Sequence, residues 1–135
     1  NNRKSERYNV DLLLSLNISC ITSENYWVEY PIGLYTSAKE IDMVIKRLTS
    51  DGGKFSESHC KTKIEKIKVV GECKNVECVY RFYGQNIDSS AAGDIIESPC
   101  FVDKLVAIEE LMKAKKETPR QKWHLETHVI GKSNW

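Results

Sequence analysis

Apolar residues fall on every second position from Val10 to Cys20, at Val10, Leu12, Leu14, Leu16, Ile18 and Cys20, with mostly polar residues between them. Six matches to a period of two predict a long, half-buried strand. Residues 23–36 carry Tyr26, Trp27, Tyr30, Pro31, Gly33 and Tyr35. The proline excludes a central helix, and the aromatic content predicts a bent edge strand. The period then changes: Ile41, Val44, Ile45 and Leu48 recur at i, i+3, i+4 and i+7, while Lys39, Asp42, Lys46 and Arg47 face away. Ser37 with Glu40 forms a capping box and Gly52-Gly53 supplies a left-handed stop, so a helix is predicted over 38–50.

The second half follows the same order. Residues 63–71 and 77–83 read as a hairpin turning at Lys74-Asn75, followed by a polar loop over 84–96. Ser98-Pro99 offers a capping hydroxyl before a first-turn proline and predicts a helix over 99–116. Its core stripe is Phe101, Leu105, Ile108 and Met112, widened by Val102, Val106 and Leu111. Trp123 to Ile130 closes the chain as a strand, with Trp123, Leu125, Thr127 and Val129 inward and His124, Glu126 and His128 outward. The closing strands even share wording, Lys68-Val69-Val70-Gly71 against His128-Val129-Ile130-Gly131. The expected fold is therefore α+β and ferredoxin-like, β-α-β-β-α-β, an internal duplication giving one sheet covered by two helices. Its half-repeats span 10–71 and 77–131, within a single domain over 10–135 that follows a flexible tail at 1–9.

Composition narrows the function classes. A chain of 135 residues with 41% hydrophobic and 29% charged residues is neither disordered nor a membrane protein by composition. A formal charge of +1 supplies no global field for nucleic acid, so direct nucleic-acid binding is not expected. The apolar run from Val10 to Ile21 is broken by Asp11, Ser15, Asn17 and Ser19 and is too short for a membrane span. Cys20, Cys60, Cys73, Cys78 and Cys100 are odd in number and scattered, with no export segment visible before them. They read as five reduced thiols in a cytoplasmic protein, Cys73 and Cys78 being the pair placed to bridge if oxidised.

Candidate chemistry is sparse. His124, Glu126 and His128 share one face of the last strand, but at about 3.3 Å per residue the two histidines stand about 13 Å apart and cannot share an ion. No metal and no cofactor are expected, and no residue is assigned a catalytic role. Tyr80, Arg81, Phe82 and Tyr83 lack the glycine-aromatic signature of an RNA-stacking strand and read as sheet packing. What remains is surface composition. Tyr26, Trp27, Glu29 and Tyr30 in the first half, and Asp94, Glu97 and Asp103 at the start of the second helix, combine aromatic anchors with acidic groups. Protein interfaces favour such aromatic anchors, while charges at the rim steer association.

A single small α/β domain without a catalytic motif, carrying this aromatic and acidic surface, resembles the immunity proteins of bacterial contact-dependent and polymorphic toxin systems. The resemblance is one of general character over the whole chain. It implies a non-enzymatic protein that neutralises a cognate toxin domain, often a nuclease, by covering its active site. The alternative is a regulatory domain that senses a small molecule. An enzyme using His124, Glu126 and His128 is the third class.

Overall fold

The computed structural model describes residues 11–56, 59–72, 75–86 and 95–135, so the tail expected at 1–9 lies outside the described residues. The chain divides into two compact units, one of Leu12–Ile67 with Val129–Trp135, the other containing Lys68–His128.

In the first unit β1 (Asp11–Ile21) lies between β2 (Trp27–Tyr35) and β3 (Cys60–Val70). β2 pairs antiparallel with β1, and the register shifts between Leu16 and Asn17, opposite Gly33 and Pro31, so that Ile32 bulges into the core. Pro31 has no N–H to give a ladder, which is why the irregularity falls beside it. A side chain on Gly33 would place its Cβ 2.5 Å from the Lys132 carbonyl, so only glycine fits where residues 130–134 run along β2. Helix α1 (Ala38–Thr49) starts at Ser37, whose hydroxyl accepts from the Glu40 N–H at 3.3 Å. It presses Ile41 and Leu48, with Val44 and Ile45, onto Leu16, Ile18, Ile32, Tyr35 and Phe55. Each such aliphatic side chain contributes about 1.5–3 kcal/mol by leaving water.

In the second unit β4 (Cys78–Asn86) is central. The short strands β5 (Ile95–Glu97) and β6 (Cys100–Phe101) both pair antiparallel with it, and β7 (Gln121–Val129) pairs with it as well. Helix α2 (Lys104–Glu117) packs Ala107 and Leu111 on Phe82, Phe101, Trp123 and Leu125. The rings of Phe82 and Phe101 stack at 6.0 Å, and the Trp123 ring lies over Gly84, where a Cβ would meet it at 2.6 Å.

This arrangement corrects the ferredoxin-like expectation. Among the described residues there are seven strands in a mixed sheet and only two helices; the first half runs strand, strand, helix, strand and the second strand, strand, strand, helix, strand, so each helix follows more than the single strand expected. Nor do 63–71 and 77–83 pair as a hairpin. β6 lies between them, parallel to β3 at Val69 and Val70 and antiparallel to β4 at Tyr80. The second helix begins at Lys104 because Ser98 is used differently: its buried hydroxyl accepts from the Phe82 N–H at 2.9 Å and holds 98–101 to β4. Asp103 is the cap instead, accepting from the Leu105 N–H at 2.8 Å.

The helix turns Ala107 and Leu111 to the core. Leu105 and Met112, expected in the core, are 69% and 58% exposed. On β7, Trp123 and Leu125 do pack inward, but Thr127 and Val129 are exposed and His128 is half-buried.

Five free thiols are also corrected. Pairing of β1 with β3 brings the Cα atoms of Cys20 and Cys60 to 4.3 Å, and the two are disulfide-bonded. Cys73 lies outside the described residues, so the proposed Cys73–Cys78 pairing does too. The cytoplasmic reading rested on reduced cysteines and loses that premise. No helix among the described residues is long and apolar enough to cross a membrane.

Candidate functional site

Strand alternation sorts the aromatic segment of β2 onto two faces. Tyr30 points to the α1 side, where its ring lies 5.4 Å from Phe55 and 5.6 Å from Trp135. Trp27 and Glu29 point the other way, opposite Ile21 and Ser19 of β1 in the ladder. That outer face continues along β1 through Ser19, Asn17 and Ser15, a small polar strip in which Asn17 donates to the Ser15 hydroxyl at 3.4 Å. Trp27 is 46% exposed, and Tyr26, in the turn before it, is 54% exposed. The contact that orients the Trp27 ring comes from β3: the Lys61 ammonium sits 4.5 Å from its centroid. Such a pair is worth about 0.5–1 kcal/mol at an exposed position. Among the described residues the Glu29 carboxylate has no ion pair or side-chain hydrogen bond.

The acidic candidates are placed differently. Glu97 and Asp103 belong to the unit containing Lys68–His128, while Tyr26, Trp27, Glu29 and Tyr30 belong to the other, and Asp94 lies outside the described residues. Asp103 is consumed as the α2 cap. Glu97 accepts from Arg81 at 3.1 Å. Neither is a spare charge.

The outer face of β4 and β7 holds a connected polar group. Arg81 donates through Nε to the Ser98 carbonyl at 2.6 Å, and its guanidinium lies 5.4 Å from the Tyr83 ring. The ring of His124 stacks on Tyr83 at 5.2 Å. Glu126 bridges both histidines, at 3.0 Å from His124 Nε2 and 3.4 Å from His128 Nε2, and the Tyr83 hydroxyl lies 3.1 Å from His128 Nε2. Burial holds the His128 pKa below its usual 6.5; the Glu126 carboxylate opposes that and Arg81 reinforces it. Burial likewise raises the Tyr83 phenol, partly offset by Arg81. Among the described residues no three His, Cys, Asp or Glu side chains converge on a metal position. Each of the six groups in this network already has a partner within it. It ties β4, β5 and β7 together and leaves little capacity for a ligand.

Sequence reasoning missed Lys61 and the Arg81–Tyr83–His124 stack, since both come from strands distant in sequence. The split of Trp27 and Glu29 from Tyr30 was available from the period of two within 27–30. One further feature is a hollow of about 490 Å³ beside the end of α1, lined by Arg47, Asp51, Gly53, Lys54 and Trp135. Compared with protein-family models, curated proteins and solved structures, the chain matches none of them significantly.

Proposed function

We propose that the chain is a protein-binding module without catalysis of its own, and that it acts as an immunity protein, neutralising a cognate toxin domain by covering that domain's active site. The observation that carries the reading is Trp27, a large aromatic half exposed on an outer sheet face, oriented by Lys61 and flanked by Tyr26 and by Glu29, which has no ion pair among the described residues. Exposed indole and phenol rings give contact area at little entropic cost and dominate interfaces, at about 2 kcal/mol or more for a central anchor. Glu29, at the margin, acts chiefly on association rate. Tyr30 supports the strand from the core side and is not itself a contact.

Co-expression with the product of the adjacent gene tests the reading. A complex and protection of the cell are expected, with Trp27→Ala dissociating faster; absence of both complex and protection contradicts it. A small-molecule-sensing domain is the second reading, favoured by the hollow at Arg47, Lys54 and Trp135, whose volume suits a metabolite. Stabilisation of the isolated chain by a small anion, abolished by Lys54→Glu, would favour that reading over the first.

A further inference from the structure

The disulfide lies directly behind the Trp27–Lys61 pair. In the β1–β2 ladder Cys20 is opposite Val28 and Ile21 is opposite Trp27. On β3, Cys60 immediately precedes Lys61. β1 and β3 are hydrogen-bonded neighbours in the sheet, and just before β3 the Ile21 N–H also donates to the His59 carbonyl at 3.2 Å. Beyond it, residues 61–66 of β3 are exposed on both faces, including Ile64 at 48%. A strand with so little apolar burial is held there by its ladder to β1 rather than by packing, and the disulfide adds a covalent tie at its start. Cys20, 7% exposed in the α1 core, is a fixed anchor; Cys60 is the tethered end.

We infer that the Cys20–Cys60 disulfide is a positioning element for the Trp27 face: it holds Lys61 over the indole, and the face is complete only in the oxidised protein. The inference rests on the Trp27 face being the contact surface. Formation of the bond joins the two sulfurs as two thiols release two protons and two electrons to a disulfide-bonded thiol oxidoreductase, the class of oxidant that oxidising compartments supply. The face is therefore complete only where such an oxidant has acted on the chain.

The test needs no partner, so it stands or falls apart from the binding reading. Thiol titration of the denatured, unreduced chain is expected to find no more than three of the five cysteines reactive; a count of five overturns the inference. In the native oxidised chain the Lys61 ε-methylene protons, under the Trp27 ring, are expected upfield of the other lysines by NMR. Reduction should return them to the common position while the Ile41 and Leu48 methyl signals stay dispersed. An upfield Lys61 signal that survives reduction overturns the positioning role. If reduction unfolds the unit, the readout moves to Cys20→Val/Cys60→Ala, which replaces the crosslink with apolar atoms: loss of the Lys61 shift in that folded variant supports the inference, and its retention overturns it.

Discussion

The outer sheet faces of the two units are built from the same kind of strand and end in opposite conditions. On β4 and β7, Arg81, Tyr83, His124, Glu126 and His128 are bonded or stacked to one another and, through Glu97 and Ser98, to the neighbouring edge. On β1 and β2 the corresponding surface holds Ser15, Asn17 and Ser19, an exposed Trp27 touched by Lys61, and a Glu29 with no ion pair among the described residues. A closed network spends its donors and acceptors on holding strands together. An open one leaves them for something else, and an exposed indole is retained there at a cost in solubility that a partner surface would remove. The richest cluster of titratable groups among the described residues is thus the weaker functional candidate.

The largest effect that separates the units lies beneath the closed face. Leu111→Ala, in the core under α2, is expected to cost about 2–5 kcal/mol by urea denaturation. Leu105→Ala, on the exposed side of the same helix, should stay within about 0.5 kcal/mol. Equal effects would mean that α2 sits as the sequence stripe implied.

That contrast shows what was legible. Helix α1 was read closely because its N-cap and stripe are local, at Ser37 and Ile41 to Leu48; its C-cap is Ser50, and the left-handed Gly52 follows it. The start of α2 was not, because the Ser98 hydroxyl had two uses, and a long-range one, to the Phe82 N–H, won over capping. The same applies to the Cys20–Cys60 bond and to β6 entering between β3 and β4: each is decided by strand pairing across tens of residues, which periodicity does not encode. Of the candidate contacts, Trp27 and Glu29 share a face and Tyr30 does not. Glu97 and Asp103 turned out to be occupied by a salt bridge and a helix cap.

Next in size are the charged members of the two faces. Arg81→Ala removes the donor to the Ser98 carbonyl and the partner of Glu97, with the arginine side chain only 15% exposed, and should cost about 1–3 kcal/mol. Lys61→Ala on the open face should cost no more than about 0.5 kcal/mol in stability. If Lys61 costs as much as Arg81, the open face is structural and the comparison fails.

The smallest effect is protonic. Because the folded state lowers the His128 pKa, the unfolded chain binds a proton there more readily. That residue's contribution is therefore intact above pH of about 6.5 and diminishes as pH falls through that value toward the folded pKa. The urea midpoint should decline on going from pH 7.5 to pH 5, and His128→Gln should flatten part of that slope. A slope unchanged by the substitution would remove His128 from the account.

The most direct test of the open face pairs two measurements on Trp27→Ala: the urea midpoint, and protection of cells that express the product of the adjacent gene. The account predicts a stability within about 0.5 kcal/mol of the parent and a loss of protection. Full protection by the variant, or a loss of several kcal/mol in stability, would contradict it.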